Sequence, residues 1–237
     1  MNKNFKNLKE KKLNRISNIS PTWFFLDTGV NDGLFNMSCD NFLLDSISND
    51  SIKFPLLRVY GWTKPTLSIG ANQPLKEPIQ KYPMVKRITG GQAVLHGNQE
   101  DELTYSIFIK YGYKVKQLYF EIGEILLAFL NMYNLKGEFG YSSNNYFTNF
   151  DCFDSKTEAD IVLNDIKVIG SAQYRKKEYV LQHGSIKLDI IRRLSGENID
   201  FKHAKVTLKS AFQDKLKIEF TDYVLTSSSN ILCGNPN

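Results

Sequence analysis

Apolar and polar positions change period several times along these 237 residues, and each change marks an element. Asn36 is placed to cap a helix running to about Ile47, with Cys39, Phe42, Leu43 and Ile47 near one face. Short strand-like runs follow at residues 56–60, 66–70, 85–88, 93–96 and 103–109, separated by turn residues. Residues 115–133 form the one long helical segment, with Leu118, Ile122, Ile125, Leu126 and Phe129 in register. Strands at 160–163 and 167–174 flank Asn164-Asp165, and a further strand covers 179–186. After Phe201 the pattern blurs, and the stretch through Ser227-Ser228-Ser229 to Asn235-Pro236-Asn237 reads as a loose end. Strands in runs with a helix between them define an α+β fold with a mostly antiparallel sheet. The expected organisation is one domain over residues 21–237, its C-terminal part short, behind a basic tail at residues 1–20.

Charge adds little once it is mapped. The formal charge of +5 resides in residues 1–15, where six basic residues face Glu10 alone. The other 24 basic and 24 acidic residues balance, so the body carries no footprint for nucleic acid. The 42% apolar and 23% charged residues are an ordinary globular balance. Cys39, Cys152 and Cys233 are dispersed and form no C-x-x-C pair, which argues against a disulfide framework or a zinc site and for a reducing compartment. The first residues are too charged for a secretory signal, and the longest apolar run, residues 125–130, is too short to span a bilayer. A cytoplasmic protein is expected.

Four segments could carry chemistry. In Arg87-Ile88-Thr89-Gly90-Gly91-Gln92-Ala93-Val94-Leu95-His96, paired glycines between strands let backbone approach a ligand, although a plain hairpin turn uses the same pair. In Lys167-Val168-Ile169-Gly170-Ser171-Ala172-Gln173, a lysine opening an apolar strand can steady a carbonyl oxygen or merely guard a sheet edge. His183 beside Gly184 can meet ligand or be a structurally satisfied histidine. Cys152, between Asp151 and Phe153, is a nucleophile only if a cation offsets the nearby aspartates.

The order and spacing of these segments resemble a known family. Leu57-Arg58-Val59-Tyr60-Gly61-Trp62, Pro65-Thr66-Leu67-Ser68-Ile69-Gly70, the Arg87 to His96 segment, Glu102-Leu103-Thr104-Tyr105-Ser106, Lys167-x-x-Gly170-Ser171-Ala172-Gln173 and Gln182-His183-Gly184-Ser185 together look like the catalytic domain of lipoate–protein ligases and octanoyltransferases. The likeness runs over residues 23–189 and implies the class II biotin/lipoate ligase fold, a mostly antiparallel mixed sheet with flanking helices. Asp151-Cys152-Phe153, just before the lysine strand, resembles the cysteine-dependent octanoyl-carrier-protein:protein octanoyltransferases, which use a cysteine in that place as acyl acceptor.

The resemblance implies Cys152 and Lys167 as catalytic residues. It implies Arg87, Thr89, Gly90, Gly91, Ala93, His96, Gly170, Ser171, Ala172, His183 and Gly184 as substrate contacts. The implied partners are octanoyl acyl carrier protein and lipoyl-domain proteins such as the glycine-cleavage H protein or a 2-oxoacid dehydrogenase E2 subunit, with no metal, cofactor, nucleic acid or membrane. An ATP-dependent ligase, needing ATP and Mg and working through an acyl-adenylate, is the alternative; a non-catalytic lipoate or lipoyl-domain binding protein is another. Three departures stand out. The segment from His96 to Glu102 is long, Asp165-Ile166 replaces the usual glycine-arginine before the lysine, and the region beyond Asp189 matches poorly.

Overall fold

The structure, a computed structural model, describes residues 16, 18–74, 81–112, 114–140, 157, 159–226 and 233–234. Eleven strands and four helices occur among the described residues. In chain order they are β1 (Thr22–Asn31), α1 (Gly33–Ser48), β2 (Leu56–Trp62), β3 (Thr66–Ile69), β4 (Met84–Lys86), β5 (Val94–His96), β6 (Glu102–Lys110), α2 (Val115–Asn131), β7 (Glu138–Phe139), β8 (Ile161–Leu163), β9 (Ile166–Lys176), β10 (Tyr179–Lys187), α3 (Leu188–Ser195), α4 (Phe201–Leu216) and β11 (Glu219–Asp222). Eight strands form one sheet in the order β11-β1-β2-β6-β10-β9-β8-β7, and β4-β3-β5 form a smaller one. Within the large sheet only β1 runs parallel to its neighbours β2 and β11; the centre, β2-β6-β10-β9-β8, is antiparallel. The α+β expectation therefore holds.

The large sheet is buried on both sides, and strand alternation assigns each residue to a side. On β6, Leu103, Tyr105, Ile107 and Ile109 enter the main core with α2 (Leu118, Ile122, Ile125, Phe129) and α4 (Ala204, Leu208, Ala211, Phe212). The alternate residues Glu102, Thr104, Ser106 and Phe108 take the other side, where Phe108 meets Cys39, Leu43 and Ile47 of α1. Register continues the second set sideways. Ser106 pairs with Arg58 and His183, Thr104 with Tyr60 and Ser185, and Glu102 with Lys187. One face of the sheet is thus an apolar core, and the other changes from apolar under α1 to polar under the small sheet.

Asn164 and Asp165 both take positive φ, 48° and 63°, as a two-residue hairpin turn of the mirror-image type requires. Elsewhere the structure departs from the sequence pattern. Helix α1 starts at Gly33, not after Asn36, because Asp32 caps it by accepting from the Phe35 amide at 2.8 Å. Asn36 instead turns inward and donates to the Gly61 carbonyl at 3.0 Å. After Phe201, where the pattern blurs, the chain is regular through residue 222, whereas residues 227–232 and 235–237 of the stretch read as a loose end lie outside the described residues. Asp200 caps α4, accepting from the His203 amide at 2.6 Å, and β11 adds an edge strand beside β1. Small core residues, Ala204 and Ala211, between surface lysines hide that helix from its hydrophobic pattern. Cys233 is likewise no part of a frayed end, being buried with Cys39 in the cluster under α1. At the other terminus Ile16 is fully buried and donates its amide to Glu121 at 3.0 Å.

Candidate active site

The polar half of the sheet face carries two histidines, each fixed at both ring nitrogens. His183, on β10, has Nδ1 3.0 Å from Asp40 and Nε2 2.7 Å from Thr89 Oγ1. Asp40, on α1, is also held by Arg58 at 2.6 Å and by the Ser106 hydroxyl at 2.8 Å. Burial alone would push the Asp40 carboxyl up, but Arg58, His183 and Ser106 outweigh it and hold the carboxyl below its ordinary value. Arg58 donates further to the Asn36 backbone and side chain, at 3.0 and 3.1 Å, so this buried pair has its remaining hydrogen bonds satisfied.

His96, on β5, has Nδ1 2.6 Å from Glu102 and Nε2 2.8 Å from Ser68 Oγ. Its ring is stacked on Trp62 at 3.8 Å and 13°. Glu102 also accepts from Lys187 at 2.6 Å, from the Gly97 amide at 3.2 Å and from the Ser185 hydroxyl. Burial opposes the Glu102 charge, yet Lys187 and His96 carry its carboxyl well below the usual range. Burial depresses the basicity of His96 against the pull of Glu102, and Lys187 and Arg87 add to the effect.

Between these histidines lies a cleft of about 590 Å³ of empty space, counting the solvent at its mouth. Gly170 and Ala172 line it beside Ser185 and His183, their register partners on β10, and their small side chains leave room for a linear substrate. Ser171 lines it too, bonded to the Tyr105 hydroxyl at 2.8 Å. A Cβ on Gly184 would lie 2.6 Å from the Tyr105 ring, so glycine is needed for that ring to cross the strand. Burial pushes the Tyr105 phenol up to about 12, so it stays neutral there.

The glycine loop closes the cleft from the small sheet. Arg87 lines the cleft and binds the carbonyls of Ser68, Gly90 and Gln92 at 2.9, 2.9 and 2.6 Å. Gly91 sits at φ 93°, and a Cβ on Gly70 would fall 1.9 Å from the Gly91 carbonyl oxygen. The loop therefore lies directly on Gly70.

Of the residues expected from sequence, Arg87, Gly91, His96, Gly170, Ser171, Ala172, His183 and Gly184 line this one cleft. Thr89 stands behind it on His183, the Gly90 carbonyl is turned to Arg87, and Ala93 is buried. Lys167 lies on an interior strand, not at a sheet edge. Its Nζ is 3.0 Å from Asp160, both are almost wholly buried, and Asp160 lines the cleft. Burial raises the Asp160 carboxyl above its ordinary value, against Lys167 and the Thr157 donors. Cys152 lies outside the described residues. Among the described residues, no group of His, Cys, Asp and Glu could hold a metal, and no helix is long and apolar enough to cross a membrane.

The sequence reading missed Asp40, Arg58, Ser68, Asp160 and Lys187. A signal existed for two of them. Asn36 and Asp40 interrupt the buried stripe of α1 four residues apart, and Arg58 interrupts the apolar run of β2. Unlike charges placed singly in core stripes call for each other. Of the other cysteines, Cys39 makes a poor nucleophile, its thiol pushed far up by its hydrogen bond to Cys233 and by burial; Cys233, whose thiol that same bond lowers, is fully buried under α1.

Comparison with known proteins bears on the family and the fold. Residues 32–212 match the lipoyl protein ligase A/B catalytic domain. The octanoyltransferase LipM of Carboxydothermus hydrogenoformans is 34% identical over 209 residues, covering 82% of this chain and 76% of that protein. The protein of the same name from Bacillus subtilis is 38% identical over 190 residues, 71% of this chain and 66% of that one. That from Oceanobacillus iheyensis is 34% identical over 71% of this chain, and the match spans 64% of its own length. Among solved structures, lipoate-protein ligase A bound with ATP superposes with a TM-score of 0.71 at 17% identity, covering 90% of this chain and 93% of that one. A putative lipoate protein ligase from T. acidophilum with bound lipoic acid gives 0.73 at 18% over the same shares. At such identity these two speak for the fold.

Proposed function

Since the chain belongs to the lipoyl protein ligase A/B catalytic domain family, we propose that it is an acyltransferase moving an octanoyl group from octanoyl carrier protein, through a thioester on Cys152, to a lysine of a lipoyl domain. The observation that carries this reading is the cleft floored by Gly170 and Ala172, with the buried Lys167–Asp160 pair at its wall, in a chain whose relatives are octanoyltransferases.

The transfer runs in two steps. The Cys152 thiolate attacks the donor thioester and the carrier leaves as its thiolate, giving an octanoyl-enzyme. The acceptor lysine amine then attacks that thioester, forming the amide and releasing the Cys152 sulfur. In both steps negative charge gathers on the carbonyl oxygen. Lys167 is the cation that stabilises it, and Asp160 holds the ammonium in place in the resting cleft. The octanoyl chain lies along Gly170, Ala172 and Gly184, which line the cleft, and the loop fixed by Arg87 covers it.

Thioester exchange is nearly neutral in energy, so the reading requires neither nucleotide nor metal. The acceptors are lipoyl-domain proteins, the glycine-cleavage H protein and the 2-oxoacid dehydrogenase E2 subunit, encountered in the cytoplasm. The test is octanoylation of apo H protein from octanoyl carrier protein in nucleotide-free buffer. Activity only with free octanoate or lipoate plus ATP would move the chain to the ligases.

A further inference from the structure

Ser68, His96 and Glu102 have no part in the steps above, yet they form a hydrogen-bond chain with a direction. Glu102 has its charge met by Lys187 at 2.6 Å and needs no imidazolium beside it. Burial, with Lys187 and Arg87, favours the neutral ring of His96. A neutral ring that donates from Nδ1 to Glu102 must accept at Nε2, and among the described residues the group there is the Ser68 hydroxyl at 2.8 Å. Ser68 Oγ in turn accepts from Arg87 at 3.1 Å. Ser68 and His96 both line the cleft, and stacking on Trp62 fixes the ring. The other histidine of the cleft, His183, has Nε2 committed to Thr89, behind the cleft.

We propose that Ser68, His96 and Glu102 form a proton relay for the second half of the reaction, removing a proton from the acceptor lysine as it attacks the octanoyl thioester. The proposal rests on the octanoyl-transfer reading. In this step one ammonium proton passes to Ser68 Oγ as the hydroxyl proton moves to His96 Nε2, and the nitrogen lone pair so freed bonds to the thioester carbonyl carbon. When the C–S bond breaks, the second nitrogen proton goes to the departing Cys152 sulfur. The products are an amide, a thiol and an imidazolium, with the single positive charge conserved. Glu102, on the far side of the ring, stabilises that imidazolium, as the buried carboxylate of a serine protease triad does. The charged groups that face His96 are Glu102 from β6, Lys187 from β10 and Arg87 from the loop after β4.

The pH profile of single-turnover transfer is the test. Octanoyl-enzyme is prepared with octanoyl carrier protein, freed of donor and mixed with an apo lipoyl domain between about pH 7 and 9. Wild-type transfer should be flat there, because neutral His96 and a lysine ammonium of pKa about 10.4 are both the major forms. His96→Gln and Ser68→Ala must wait for free amine. Their rates should be about 10²-fold lower at pH 7, and should rise about tenfold per pH unit. The serine variant is nearly isosteric and guards against misfolding of the first. A flat profile in both variants, at full or reduced rate, overturns the relay and leaves the octanoyl-transfer reading standing. A wild-type protein that gains no octanoyl thioester overturns that reading, and the relay with it.

Discussion

Lys167→Ala takes the cation out of a buried pair and leaves the almost wholly buried Asp160 carboxyl to the Thr157 amide and hydroxyl, at 2.7 and 3.0 Å, its remaining side-chain partners among the described residues. Losing one partner of such a pair costs about 3–5 kcal/mol. The carboxyl can escape part of that cost by taking up a proton, which sets a ceiling. From an unfolded value of 3.8, holding the proton at pH 7 costs about 4 kcal/mol, and at pH 5 about 1.6 kcal/mol, at 1.36 kcal/mol per unit. The sign follows from the direction of the shift. A carboxyl raised in the folded state favours folding below its unfolded pKa and loses that contribution as pH rises through the folded value. The variant should therefore melt on the order of 10 °C below wild type at pH 7, with the deficit shrinking clearly by pH 5. Lys167→Ala/Asp160→Asn should recover most of the loss at pH 7. Neither variant should recover activity, because a missing oxyanion partner costs about 10²–10³-fold in rate. Calorimetry at two pH values and a transfer assay on the same samples are the measurements. An equal melting deficit at pH 5 and 7, or a fully active single variant, would refute the reasoning.

Other variants probe other parts of the site. Wild type exposed to octanoyl carrier protein should gain one hydroxylamine-labile octanoyl mass on the peptide holding Cys152, and Cys152→Ser should lose nearly all turnover. An adduct on Cys39 or Cys233, both fully buried, would contradict this. Gly70→Ala must displace the Gly91 carbonyl, 1.9 Å from the new Cβ, so acylation should fall at least tenfold while the far-UV spectrum stays native. Asp40→Ala leaves Arg58 buried without its carboxylate and should cost about 3–5 kcal/mol in urea unfolding; a cost under 1 kcal/mol would show that the pair does not hold α1 to the sheet.

Much of this architecture can be read from the sequence because periodicity survives burial where one face is apolar. Residues 115–133 and 103–109 are recognised for that reason, and both match within two residues. The helix after Asp200 escapes because its inward residues are small and lysines stand between them. Strand β1 escapes because its residues are mostly half-buried, so no clean alternation develops. The glycine loop and the residues after Lys167 are visible as small residues between or within strands, where close backbone approach is one of the readings open to the sequence. Their supports are not visible. Asp160 reaches Lys167 across a hairpin, Asp40 reaches His183 over 143 residues of sequence, and Lys187 reaches Glu102 over 85. Such pairings follow from register, which fixes which alternate residues share a face, and register is a property of the folded sheet.

That register also explains why polar groups tolerate this much burial. Alternation sends Leu103, Tyr105 and Ile107 to the main core, so the same strand can give Glu102, Thr104 and Ser106 to the site without opening a hole in the packing. Three charge pairs stand largely buried there: Arg58 with Asp40, Lys187 with Glu102, Lys167 with Asp160. The first two pairs act through histidines and hold their ring nitrogens in set directions. The third has no histidine, and Asp160 reaches the cleft itself. A pair that only stabilised the sheet would be replaceable by apolar residues of similar volume at little cost. Three such pairs, one reaching the cleft and two aiming imidazoles at it, are better explained by the acyl transfer proposed for it than by stability.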